Sequence, residues 1–295
     1  MSNSSPKVSI ILPVFNGGAT LLSAVQSIID QDYFDWELII LDDGSTDKCT
    51  SNLEKLGDLR IKVYVDGLRK GLAKRLNEGI DCSKGLYIAR MDADDLCFPD
   101  RLKKQVAYLD THPQIDLLAT KALGFSNRGN QLLIGSLPYY EKHEELSASP
   151  WGGIYMPHPS WMGRAVWFRK YRYRMPEVLR AEDQELLLRA MPESQYHCLP
   201  DVLLAYRQSS FNLQKSLLTR RELFKCQVDI FLARDQWRNL LKTFWVTLKK
   251  MSFDLLKSAL PFLTFSSFKQ GGEISPAELN QLHLLIKKYE NPTNI

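Results

Sequence analysis

Three groups of acidic residues in this chain are placed where carboxylates could do chemistry. Asp92, Asp94 and Asp95, with Ala93 between, follow the apolar run Tyr87, Ile88, Ala89 and Met91 in YIARMDADD. Carboxylates crowded at the end of a buried strand repel one another, and a divalent cation is the simplest remedy. Hard ions such as Mg²⁺ and Mn²⁺ take oxygen ligands, commonly one or two carboxylates plus substrate phosphates. The plainer alternative is an acidic loop of Asx turns leading to a helix cap at Asp100. Asp42 and Asp43 end a second apolar run in WELIILDDGSTD. There they could simply close a strand-to-helix turn, or stand at a strand end where ligands bind such sheets. Glu182 and Asp183 open the stretch AEDQELLLRAM. Acidic residues there make a favourable helix start.

The elements that must carry these groups alternate. KVSIILPV (residues 7–14) reads as a strand apolar on both faces, as buried parallel strands are. After Asn16-Gly17-Gly18, Leu21, Leu22, Val25, Ile28 and Ile29 fall at helical spacing. Strand 36–41 enters DDGSTD, a helix is expected to begin near Asp47, and strand 61–65 follows. Gly71 opens GLAKRLNEGI, strand 86–91 reaches the acidic cluster, and Pro99 starts PDRLKKQVAYLDTHP. Alternating strand and helix over 120 residues predicts an α/β fold with a doubly wound, mostly parallel sheet. Ligands bind such sheets beyond the carboxyl ends of the strands, so DDGSTD and DADD belong on one rim. Beyond residue 120, strands are expected at 117–125, 131–135 and 202–207, a short helix at 181–191, and a helical pattern from Leu213 onward.

At 295 residues with 44% hydrophobic content, the chain can bury a full core. Residues 212–269 hold eleven basic and four acidic residues, net +7, leaving −3 for the remainder of a chain of net +4. The five cysteines form no CxxC pair, which argues against a zinc site or disulfide framework and fits a reducing cytosol. MSNSSPKVSIILPVF lacks the pattern of a signal peptide, and no stretch of about 18 uninterrupted apolar residues predicts a membrane span.

In this order, VSIILPVFN, DDGSTD, GLAKRLNEGI, YIARMDADD, PDRLKKQV, HPSW, Glu182-Asp183 and LLAYR resemble glycosyltransferase family 2 of the GT-A fold. The resemblance runs to about residue 207. It implies a GT-A domain over residues 1–211, divided into a nucleotide-sugar half (1–120) and an acceptor half (121–211), with a basic helical region at 212–295. It further implies that Pro13, Val14, Phe15 and Asn16 line the nucleotide, and that Asp42 and Asp43 face base and ribose. By the same resemblance Asp92 and Asp94 form a DxD pair flanking Ala93, with Asp94 the direct ligand of Mn²⁺ or Mg²⁺. Asp183 would be the general base of an inverting displacement and Glu182 its helper. His158 and Trp161 would lie on the acceptor side. Lys74 and Arg75 could reach the donor or stand solvated on a helix face, and Arg207 could meet phosphate. Trp151, Trp161 and Trp167 could stack on sugars, although core packing is the default for such residues.

The QxxRW signature of processive synthases is absent after Asp183, where the chain reads QELLLRAM. One sugar per encounter, from a nucleotide-diphospho-sugar (UDP-linked by expectation) to a glycan or lipid-linked oligosaccharide of the bacterial surface, is therefore the reading. The segment RNLLKTFWVTLKKMSFDLLKSALPFL mixes Lys with apolar and aromatic residues. It suits a helix lying on an anionic membrane at the cytoplasmic face, or an appendage packed on the body with Lys outward. No nucleic-acid recognition motif accompanies it. Two rivals remain: a sugar-nucleotidyltransferase, disfavoured because PVFNGG replaces a Gly-rich GxGTRLxPLT entry, and a non-catalytic binding scaffold of the same fold.

Overall fold

The computed structural model of the chain describes residues 5–128, 131–176, 178–260 and 271–290. Residues 261–269 of the basic segment therefore lie outside the described residues. The first half is strand and helix in alternation: β1 (Val8–Val14), α1 (Thr20–Ile29), β2 (Trp36–Asp42), β3 (Ile61–Val65), α2 (Leu72–Cys82), β4 (Tyr87–Arg90), β5 (Leu96–Cys97) and α3 (Arg101–Thr111). There follow β6 (Leu117–Arg128), β7 (Gln131–Ser136), α4 (His143–Ser147), β8 (Met162–Arg164), α5 (Ala165–Lys170), α6 (Glu182–Ala190) and β9 (Tyr196–Arg207). The chain continues through α7 (Leu213–Leu232), α8 (Trp237–Ala259) and α9 (Pro276–Glu290).

Among the described residues one sheet holds all nine strands, in the order β3-β2-β1-β4-β8-β6-β9-β5, with β7 paired to β6. Strands β3, β2, β1 and β4 are mutually parallel, as is the long β6–β9 pair. Strand β8 enters antiparallel between β4 and β6, and β5 and β7 pair antiparallel on β9 and β6. The fold is thus α/β and mostly parallel, with antiparallel insertions in the second half.

The unbroken apolar runs of β1 and β2 have a physical reason. Ile10, Leu12 and Val14 pack with Leu21, Val25 and Ile28 of α1, whereas Ile11, Ile39 and Leu41 face Ala73, Leu76 and Ile80 of α2. Both faces are covered, so alternation disappears. Gly79 allows α2 this approach, since a Cβ there would stand 2.5 Å from Ile11 Cγ2. The expected helix near Asp47 is instead a 3₁₀ segment, Cys49–Leu56. Asp47 itself accepts the Gly18 and Cys49 amides, which ties it to the turn.

The C-terminal helices are joined to this body on two sides. Phe231 of α7 enters the core beside Trp161 and Leu188. Helix α9 buries Leu282, Leu285, Ile286 and Tyr289 against Leu96, Phe98, Phe125 and Val202.

Candidate active site

The ends of β1, β2 and β4 meet at one rim, as parallel topology requires. Pro13 and Val14 are buried in β1, and Phe15 is the first side chain to emerge, with the Arg69 guanidinium 4.0 Å above its ring. Asn16, in the left-handed region at φ 52°, turns its side-chain oxygen to the Thr46 amide at 2.8 Å. Its backbone N–H donates to Ser45 Oγ at 2.9 Å, so the FNGG and DDGSTD turns are laced together.

Asp42 and Asp43 have different work. Asp42 closes its own turn, accepting from the Ser45 amide at 2.8 Å and from the Thr50 hydroxyl at 3.3 Å. Asp43 crosses to the next loop, accepting from the amides of Lys70 at 2.6 Å and Gly71 at 3.0 Å and from Arg75 Nε at 3.1 Å. Arg75 is 2% exposed and also pairs with Asp66 and Glu78. It therefore organises the 66–71 loop from within the protein. Lys74, expected to reach the donor, lies on the exposed face of α2 and is not among the cleft-lining residues. A helix turns about 100° per residue, so adjacent positions face apart. Arg69 and Lys70 line the cleft instead.

Beyond β4, the carboxylates of Asp92, Asp94 and Asp95 each place an oxygen within 4.8 Å of the others. Asp92 is half-buried, Asp94 exposed at the rim and Asp95 fully enclosed. Arg207 fixes this loop from β9: its amide donates to Asp95 Oδ1 at 2.7 Å and its Nε to the Asp94 carbonyl at 2.8 Å. Its guanidinium in turn pairs with Glu290 of α9 at 2.6 Å, so its charge is committed within the protein. Loss of surrounding water and then the Asp92 charge raise the Asp94 carboxyl above the usual carboxylate range. Burial, followed by the charges of Asp92 and Asp94, pushes Asp95 much further up. Asp95 Oδ2 is buried with no hydrogen-bond partner.

A cleft of about 1010 Å³ lies over this rim. Phe15, Asp43, Arg69, Lys70 and Asp92 line one wall; Tyr155, Met156, His158, Glu182 and Asp183 line the other. Glu182 and Asp183 are the first residues of α6, where the helix dipole favours negative charge. Burial works against it and raises the Asp183 carboxyl, while the Gln184 amide, the Gln184 side chain and Arg90 moderate the rise. That combination suits a carboxylate meant to take a proton.

His158 lines the cleft, 8% exposed, with Nε2 2.6 Å from the Tyr173 hydroxyl. Burial and then the Arg90 charge hold it well below the ordinary histidine range, so its imidazole is neutral. Trp161, expected on the acceptor side, is wholly enclosed: its indole donates to the Met156 carbonyl at 3.2 Å and its ring meets His158 edge-on. It shapes the wall from behind rather than facing the cleft. Trp167 is likewise core, bonded to Ser194.

Three features escape a reading of motifs. Gln184 clamps the wall, accepting from the Ile154 amide and donating to its carbonyl. Gln227 of α7 donates to the Pro150 carbonyl at 2.8 Å, Lys250 of α8 donates to that of Gly152 at 2.7 Å, and Lys242 lies 3.8 Å over the Trp151 ring. Arg90, in the middle of YIARMD, is buried beneath the cleft and paired with Asp92. A charged residue inside an otherwise apolar strand was the available signal for it.

Residues 9–172 match the family described as glycosyl transferase family 2. EpsE of Bacillus subtilis (strain 168), described as a glycosyltransferase, is 35% identical over 227 residues, covering 75% of this chain and 74% of that protein. WfgD of Escherichia coli, a UDP-Glc:α-D-GlcNAc-diphosphoundecaprenol β-1,3-glucosyltransferase, is 32% identical over 102 residues, 35% of this chain and 40% of its own. Among solved structures, Staphylococcus aureus TarS (residues 1–349) in complex with UDP-GlcNAc superposes with a TM-score of 0.64 at 19% identity, covering 96% of this chain and 81% of that one. The strand order, the rim of carboxylates and the match over residues 9–172 agree: the chain belongs to glycosyl transferase family 2 and is a glycosyltransferase.

Proposed function

We propose that the protein transfers a single sugar, with inversion, from a UDP-sugar to a glycan or lipid-linked oligosaccharide acceptor during synthesis of a bacterial surface polysaccharide. The observation that carries this reading is the shared cleft, which Asp43 and Asp92 line together with Glu182 and Asp183. The UDP assignment and the lipid-diphosphate acceptor draw support from the activity named for WfgD.

Phe15 and Arg69 offer a flat, cationic surface for a base, and Asp43, held rigid by Arg75, offers acceptor oxygens to it. Asp183 takes the proton of the acceptor hydroxyl as that oxygen attacks the anomeric carbon from the face opposite the departing diphosphate. His158, neutral and hydrogen-bonded to Tyr173, orients the acceptor without adding charge. The acidic loop fits a divalent cation, Mn²⁺ or Mg²⁺: three carboxylates converge, and Asp95 Oδ2 has no hydrogen-bond partner among the described residues. Asp94 and Asp92 would hold the ion, which when bound neutralises charge on the leaving diphosphate. Asp183→Asn tests the base: UDP binding within twofold of wild type with transfer reduced at least about 10²-fold is expected, and full activity would refute it.

Helix α8 supports the second part of the proposal, attachment to an anionic membrane at the cytoplasmic face. Trp237, Leu241, Phe244, Trp245, Leu248 and Leu255 are exposed along it, flanked by Arg238 and Lys249. A helix with an apolar stripe and basic edges binds such surfaces by burying the stripe among the acyl chains. Its other face is already used: Thr243, Asp254 and Lys257 are buried, and Asp254 bonds Ser216 and Arg220 of α7. Among the described residues no helix is long and apolar enough to cross a membrane.

A further inference from the structure

Arg90 ends β4 directly under the acidic loop and is 4% exposed. One guanidinium nitrogen, Nη2, pairs with Asp92 Oδ1. Nε and Nη1 are buried and make no hydrogen bond among the described residues. Its electrostatic surroundings come from several elements: Asp92, Asp94 and Asp95 of its own loop, Asp183 of α6, His158 and Tyr173 of the far wall, and Tyr206 of β9. A buried cation with two unmet donors depends strongly on its single ion pair. Asp92 thus already has a positive partner before any metal arrives.

We propose that Arg90 competes with the divalent cation for Asp92, so that the cluster holds metal weakly by itself and firmly only when a nucleoside diphosphate brings its own negative charge. The inference rests on the reading of the acidic loop as a cation site. A guanidinium on one ligand of the cluster repels a divalent ion, and the repulsion is strong where water is excluded. A diphosphate reverses the balance because its oxygens complete the ion's shell, as phosphates commonly do for Mg²⁺. Metal and nucleotide then enter together, and donor-free enzyme avoids trapping the ion. Arg90 is in this account a positioning residue that acts through Asp92.

Mn²⁺ binding is followed by the electron paramagnetic resonance signal of the free ion, with and without UDP, in wild type, Arg90→Met, Arg90→Lys and Asp94→Ala. Arg90→Met should bind Mn²⁺ alone about tenfold more tightly than wild type, and the gain in affinity brought by UDP should shrink correspondingly. Arg90→Lys keeps the charge and should stay within about threefold of wild type. Arg90→Gln is read by the same criterion if circular dichroism shows that the Met variant does not fold. Unchanged or weaker Mn²⁺ binding by the neutral variants overturns the competition. Equal Mn²⁺ binding by wild type and Asp94→Ala overturns instead the cation site beneath it.

Discussion

The Gln184 carboxamide forms a two-way pair with the Ile154 backbone, accepting from its N–H at 2.9 Å and donating to its C=O at 3.0 Å. The residue next to the candidate base thereby fixes the 154–156 stretch of the cleft lining, and Gly153 at φ 99° makes the bend that brings this stretch there. Replacing Gln184 with Leu removes both bonds and leaves the Ile154 amide to find water, while the Ile154 carbonyl keeps the Met156 N–H at 3.1 Å. We expect a loss of about 1–3 kcal/mol in unfolding free energy, measured by denaturant titration, with UDP binding within twofold of wild type. A large loss of UDP affinity would show that the clamp serves the donor wall instead.

Arg75 and Asp43 are coupled more tightly than their exposed neighbours. Arg75→Ala removes the buried guanidinium that ties Asp43, Asp66 and Glu78 together, leaving Asp43 only its backbone amides and Lys70 alone to pair with Asp66 and Glu78. A destabilisation of about 3–5 kcal/mol is expected, in the range for breaking a buried ion pair, together with weakened nucleotide binding. Lys74→Ala, one residue away on the exposed face, should change stability by less than about 0.5 kcal/mol. Similar losses in the two variants would contradict the placement.

His158 supplies a pH signature. Its folded-state proton affinity is depressed, so the unfolded chain takes up the proton first as pH falls below about 6.5. Stability contributed by the neutral ring is present above that pH and is lost as pH drops toward the depressed folded value. Wild type should lose up to about 1.4 kcal/mol per pH unit below pH 6.5 relative to His158→Gln. Parallel stability curves for the two proteins between pH 7.5 and 5 would show that the imidazole is already charged or solvated.

The exposed stripe on α8 makes a separable prediction. Leu241→Asp with Trp245→Asp alters side chains that are 67% and 65% exposed, so melting should hardly change. Co-flotation with vesicles containing phosphatidylglycerol should fall severalfold. Retained flotation would exclude the stripe as the anchor, and a concentration-dependent change of mass in solution would assign it to a second copy instead.

What could be read in advance divides along physical lines. The strands β1, β2 and β4 announce themselves because both faces are covered, and their acidic ends follow from parallel topology. Asp43, Asp92 and Asp183 meet in one cleft although about 50 and 90 residues separate them in sequence. The antiparallel insertion of β8 was not readable: three residues, Met162–Arg164, carry no periodicity. Pattern alone also leaves open which face of α2 is wet, so the buried Arg75 and the exposed Lys74 look alike. Trp161 shows the same limit in reverse, since an aromatic beside a histidine fits a sugar platform and a core brace equally well. The clamps from Gln227, Lys242 and Lys250 to residues 150–152 depend on contacts 77 or more residues apart in the chain, which no local signal marks.

The most direct test of the account is a thermal-shift panel with UDP, GDP, CMP and dTDP, each with and without Mn²⁺, on wild type and Asp94→Ala. A ligand specific for the folded state at a hundredfold excess over its Kd adds about 2.7 kcal/mol of stability. The account predicts a shift of wild type by UDP that requires Mn²⁺ and vanishes in Asp94→Ala. No shift with any nucleotide, or an equal shift in the variant, would contradict it.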